Sequence, residues 1–249
     1  GTWTNASTSA SWSFAAPITF NSGANQTMTF AGTNLAGNEF DAVTFNSTAA
    51  MTYTMATRGL RLGGALSITD TLTTVGLTTS NLAVTAGSIT IGTNGTLIAG
   101  SSTITVSGNW TSSAGTFTVG TSTVSIQAIA AIAAATTSSF YNLTITTGTS
   151  TPSTNIDVDN TFTISGGIYA KGTTTLNVDA GLTLSGGAIT STSGAVTITG
   201  AVNISSASSY IDLGSEAWTI SGTWTNATTS ASWAAGTGTV TFTSATGGT

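Results

Sequence analysis

The chain has no histidine, no cysteine and only three basic residues, Arg58, Arg61 and Lys171. Each absence closes off chemistry. Without His or Cys there is no Ser-His-Asp or Cys-His arrangement, no common zinc site and no disulfide. Ser and Thr abound, but none has a candidate base beside it, so no catalytic residue and no cofactor-binding residue is read from the sequence. With a net charge of −5 no basic patch can form, which excludes DNA and RNA as partners. Charged residues make up 4% of the chain, against about 25% in an ordinary soluble domain. No apolar run approaches the ~18 residues of a membrane helix; the longest, residues 128–135, is mostly alanine. No glycine string leads into Gly-Lys-Ser/Thr, so no phosphate loop is present. The first residues already read as repeat rather than as a signal peptide, so the chain is expected to be mature or an excerpt of something longer.

What remains is threonine (58 residues), glycine (30) and a 39% apolar fraction spread over 249 residues. That apolar fraction is periodic, which separates the chain from disordered low-charge sequences. Between Ile156 and Asn226 a nine-residue pattern recurs in which alternate residues are apolar and the middle one is small. Its copies are Ile156, Val158, Asn160, Phe162, Ile164; then Leu176, Val178, Ala180, Leu182, Leu184; then Val196, Ile198, Gly200, Val202, Ile204; then Trp218, Ile220, Gly222, Trp224, Asn226. Alternation means a strand with one buried face. Its return every 20–22 residues means stacked coils. The fold expected is all-β: one continuous parallel β-solenoid (β-helix) over residues 1–249, with about 20–22 residues per coil and roughly a dozen coils. Stacked about 4.8 Å apart, they would form a rod about 55–60 Å long. The small middle residue is expected to face a crowded interior at a bend.

The ladder extends upstream through Leu60–Ile68, then Leu82, Val84 and Ala86, where an extra residue before Ile89 suggests a bulge. Ile104–Trp110 and Val124–Ala128 follow, and Val240 and Phe242 open another coil downstream. Leu143 and Ile145 come too early for a full coil before Ile156, and Pro152 lies nearby, so a protruding or reshaped coil is expected between 128 and 155. Earlier strands are expected around Ile18–Phe20, Met28–Phe30 and Val43–Phe45.

A longer period is superimposed. Gly1-Thr2-Trp3-Thr4, Gly108-Asn109-Trp110-Thr111 and Gly222-Thr223-Trp224-Thr225 mark sequence modules of about 1–107, 108–221 and 222–249. Residues Trp3–Trp12 and Trp224–Trp233 match closely. Together with Gly115-Thr116-Phe117-Thr118, Gly120-Thr121-Ser122-Thr123-Val124 and Ser139-Phe140-Tyr141-Asn142-Leu143-Thr144-Ile145, these motifs resemble the tandem β-solenoid modules of very large, adhesin-like bacterial cell-surface proteins. The resemblance implies an extracellular, surface-exposed structural or adhesive role and transfers no catalytic residue. In the first module Phe40-Asp41-Ala42-Val43 replaces the Tyr-Asn-Leu signature.

One carboxylate cluster stands out. Asp157, Asp159 and Asp179 are expected to face outward, with Asp159 and Asp179 one coil apart, roughly 5 Å. Such a set is read first as a solvated face, then as a weak calcium site, then as an acid–base pair acting on polysaccharide. Arg58, Arg61 and Lys171 read as surface charges. Trp110, Trp218 and Trp224 fall on the inward parity; Trp12 and Trp233 lie in Ser/Ala-rich connections and are candidate sugar platforms. Sequons place possible glycosylation at Asn5, Asn25, Asn46, Asn94, Asn109, Asn142, Asn203 and Asn226. The outward pairs Thr161/Thr163, Gly181/Thr183, Ala201/Asn203 and Thr223/Thr225 form a broken rank, a weak match to an ice-binding face. The expected partners are the chain itself, end to end or within a longer tandem array, and surface glycans. Neither end carries charge, with none before Glu39 or after Glu216, so strand edges there have no electrostatic guard.

Overall fold

A computed structural model describes residues 2–5, 16–30, 40–137, 139–229 and 232–243. Every strand pairing in it is parallel and no described residue is helical, which makes the chain a parallel β-solenoid of about ten coils rather than a dozen. It divides into two compact units, residues 1–123 and 124–249.

In the second unit each coil has three short strands and three corners. Columns of identical parity run from coil to coil. Ile156 pairs with Leu176, Val196, Trp218 and Val240 in turn. Leu143 pairs with Phe162, Leu182, Val202 and Trp224. The third side carries Ser150, Tyr169, Ile189, Ile211 and Trp233. From Leu143 to Trp218 the apolar members of these columns are buried. Each such side chain contributes about 1.5–3 kcal/mol, so period-two alternation is enough to hold the coil wall. The register expected for the four clearest copies is the register found.

The break at 128–155 is different from the expectation. Leu143 and Ile145 pair with Phe162 and Ile164, the second half of the nine-residue pattern, and not with Ile156 and Val158. Alternation does not say which side of a coil a strand occupies, so a strand from the next side looked early. The coil does not protrude. Ala130–Ala133 pairs with Thr149–Pro152 in regular register. Only its remaining side is reshaped, reduced to a single bridge from Phe140 to Val158. Pro152 is therefore inside a strand and buried. The Ser153 N–H donates to Ile132, so the proline nitrogen turns to the opposite strand, where pairing has already ended at Ser150. A missing donor is harmless there.

The middle residue of each nine does not point inward. Ala180 is exposed and Asn160 half-buried, because the chain turns a corner there and the parity reverses. Crowding comes from the neighbouring coil. A Cβ on Gly200 would lie 1.3 Å from the Ala180 carbonyl oxygen. Gly→Ala at a compatible site usually gains about 0.4–1 kcal/mol. Gly200→Ala is expected to lose about 1–3 kcal/mol in denaturant unfolding instead, as overpacking does, while Ala180→Gly loses about 1 kcal/mol or less.

The first unit follows the same plan. After the strand Thr2–Asn5 come Ile18–Ser22, Gln26–Phe30 and Val43–Ser47, where the apolar pattern placed them. Leu60 pairs with Val84 rather than Leu82. Leu82 closes a turn on Thr79 through Ser80 and Asn81, both at positive φ. The extra residue before Ile89 falls at the corner residue Gly87, between the strands Val84–Ala86 and Ser88–Ile91, not inside a strand. The Gly-x-Trp-Thr motif does not mark one side of the coil. Trp3 pairs with Met28, whereas Trp110 pairs with Ile89 on a different sheet.

Candidate functional site

The aspartates come first. Asp157 pairs with Asn177 across neighbouring strands, and Asp179 sits one coil beyond Asp159. Between the carboxylates lies an amide. Asn177 Nδ2 donates to Asp157 Oδ1 at 2.6 Å and to Asp179 Oδ1 at 3.2 Å. A side-chain donor thus occupies the place a bridging cation would take. Among the described residues no group of three or more His, Cys, Asp or Glu side chains is placed to hold a metal ion.

Sequence reasoning placed Lys171 on the surface, and this is corrected. Lys171 is 0% exposed. It occupies the inward parity of Ile168–Gly172, two residues after buried Tyr169. Its ammonium donates to the carbonyls of Thr174, of Ser193 at 2.8 Å and of Gly194 at 3.0 Å. Glu216 Oε2 lies 2.9 Å from Nζ. The ion pair therefore ties together three consecutive coils. Its signal was available in the parity of Tyr169 and Lys171. Arg58 and Arg61 are half-buried. Nearby in the core, Tyr169 presents a buried hydroxyl with no hydrogen-bond partner, and burial holds its phenol far above the usual range.

A second polar centre, Asp70 in the first unit, escaped sequence reasoning entirely. Its carboxylate is almost completely buried and accepts from two coils. Ser47 contributes its N–H at 3.1 Å and hydroxyl at 2.7 Å; Leu72 N–H lies at 2.8 Å and Thr73 hydroxyl at 3.1 Å. The Asp70 N–H donates onward to Thr93. The Leu72 N–H first, and then the Ser47 hydroxyl, hold the carboxyl well below the ordinary range. The folded state thus binds this proton less readily than the unfolded chain. Its stabilisation is complete above about pH 4, the unfolded carboxylate range, and drains away as pH falls toward the folded value. Asp70→Asn is expected to lower the melting temperature at neutral pH. The gap between parent and variant should narrow as pH drops from about 5 to about 2. A gap independent of pH in melts monitored by circular dichroism would overturn this role.

The predicted surface sites divide by exposure. Asn25, Asn94, Asn109, Asn203 and Asn226 are exposed, while Asn46 and Asn142 are half-buried. The Asn142 side-chain oxygen accepts from Asn160 Nδ2 and the Thr161 hydroxyl, both at 2.8 Å, which makes it a coil clamp. The Asn5 side chain and Trp12 lie outside the described residues. The threonine rank stacks as expected, Thr163 on Thr183, Asn203 and Thr225, and is interrupted in the adjacent column by Gly181 and Ala201.

The tryptophans separate. Trp110 and Trp218 are 0% exposed. Trp224 is half-buried in an outermost strand, edge-on to Phe242 at 6.5 Å. Trp233 lies in a strand, Ser232–Ala234, and not in a connection. It pairs with buried Ile211, as Phe242 pairs with buried Ile220. Both hold inward register, with Trp233 62% and Phe242 56% exposed. No family model, no curated protein and no solved structure matches the chain.

Proposed function

We propose that this chain is a non-catalytic structural or adhesive module of an extracellular filament, stalk or surface layer, and that it works by stacking end to end with coils of its own kind. The observation that carries this reading is the parallel stack of coils, whose inward columns continue in register through Trp233 and Phe242. The extracellular assignment draws on the likeness to bacterial surface-protein modules. A glycan-degrading role is disfavoured because the Asn177 amide lies between Asp157 and Asp179. Sedimentation velocity across a wide concentration range tests the proposal. Association that rises with concentration, with amides of 224–243 becoming protected from exchange, is the expected result. A chain that stays monomeric throughout, or one that hydrolyses polysaccharide, overturns it.

A further inference from the structure

Side-chain bonds in the second unit join a coil to its neighbour. Asn177 to Asp157 spans 20 residues, Ser205 to the Leu184 carbonyl 21, and Ser215 to the Thr192 carbonyl 23. The strand ladders do the same, as Leu176 pairs with Val196 and Val196 with Trp218. A stack held by nearest-neighbour contacts can open coil by coil, each at its own free energy. The Lys171–Glu216 pair departs from that rule. It spans 45 residues, from the strand Ile168–Gly172 to the corner two coils on. The coil between is held by the same ammonium, through the carbonyls of Ser193 at 2.8 Å and Gly194 at 3.0 Å. One side chain thus grips three successive turns of chain at one corner.

The surroundings make the grip all-or-none. The two side chains are 0% and 1% exposed. Lifting the Glu216 coil alone would separate opposite charges in a medium of low dielectric, where their attraction is strongest. It would also leave the ammonium enclosed beneath the coil of Ser193 and Gly194 without its counter-ion. Once that coil leaves too, both charges reach water and the penalty disappears. We propose that the pair is a stop against unravelling: coils beyond Glu216 peel singly, whereas residues 172–216 open as one block. The device is internal to one chain, so it goes beyond the stacking reading and does not depend on it.

Pulling on single molecules of the full chain tests this. The chain has no cysteine. Thr151→Cys, at an exposed position of the strand Thr149–Pro152, and a cysteine appended after Thr249 therefore give two handles that load the second unit alone. One coil of 20–22 residues, drawn straight at roughly 3.3–3.6 Å per residue, adds about 65–80 Å. The expected trace shows steps of that size while residues 217–249 come out, then a stop. After it comes a single step of at least about 150 Å, as the 45 residues of the block leave together. Glu216→Met leaves the ammonium its three carbonyls and keeps the fold, which circular dichroism checks. In that variant the stop should vanish and single-coil steps should run through. A parent trace without the stop, or the same stop in Glu216→Met, overturns the proposal. Hydrogen exchange on the unmodified chain gives an independent reading. The strands Leu176–Val178 and Val196–Ile198 both lie within the block. Their amides are expected to share one opening free energy, and separate values overturn the proposal equally.

Discussion

Replacing Lys171 by methionine is expected to destabilise the second unit by about 3–5 kcal/mol, a fall in melting temperature of roughly 6–20 °C. The reason is the charge left behind. Glu216 is 4% exposed, and neither of its carboxylate oxygens has a hydrogen-bond donor apart from the ammonium 2.9 Å away. Without Lys171 that carboxylate is stranded in the core. The reverse change should be milder. Glu216→Gln leaves the ammonium with the carbonyls of Thr174, Ser193 and Gly194, three acceptors for three hydrogens. We expect it to lose about 1–2 kcal/mol, the scale of one charge-assisted bond. The double variant with methionine at both positions should recover part of the Lys171→Met loss. It removes the stranded charge, yet three carbonyls still lack their donor. Thermal melts of the four proteins form a cycle whose coupling energy measures the pair. Equal losses for the two single variants, or a neutral Lys171→Met, would remove the pair from the forces holding these coils.

Val178→Asp should be at least as damaging. Val178 is 0% exposed and stacked between Val158 and Ile198. The change forfeits about 1.5–3 kcal/mol of burial and places a carboxyl where no donor waits, so a total above about 4 kcal/mol is expected. The neighbour Asn177 faces out, but the structure makes it a poor control. Its amide separates Asp157 from Asp179, and Asn177→Asp would put three carboxylates together. Thr197, which pairs with Asn177 one coil on, is the better outward position. Thr197→Asp is expected to shift stability by no more than about 0.5 kcal/mol. Comparable losses at 178 and 197 in denaturant titration would refute the register.

The register at Val178 was legible because its determinants are local and repeated. Alternation assigns parity within a strand, and recurrence after 20 residues assigns the stacking partner. Where the recurrence slipped, the reading slipped with it. A 22-residue interval from Leu60 falls on Leu82, but the turn at Ser80 and Asn81 takes up two residues and delivers Val84. Leu143 seemed misplaced for a related reason. Parity says in or out; it does not say which of three sides.

The polar centres show a second limit. Lys171 carried a readable sign, the inward parity it shares with Tyr169, but average behaviour puts lysine outside. Its burial depends on Glu216, 45 residues away, arriving two coils later on the same corner. Asp70 had no such sign. Its donors Leu72 and Thr73 follow it directly in the chain, but Ser47 lies one coil back, and only stacking brings that donor to the carboxylate.

By itself, the amino-acid order determined the class of fold, the coil length, the columns of Ile156, Val178 and Leu182, and the exclusion of histidine and thiol chemistry. These follow from side-chain periodicity and from composition, which need no knowledge of where distant residues meet. The tertiary structure alone decided which side of a coil each strand occupies, why Gly200 must be small and where Lys171 finds its carboxylate. Each of these is set by the neighbouring coil, through corner geometry and carbonyl approach, and a pattern along one strand carries no record of what stacks upon it.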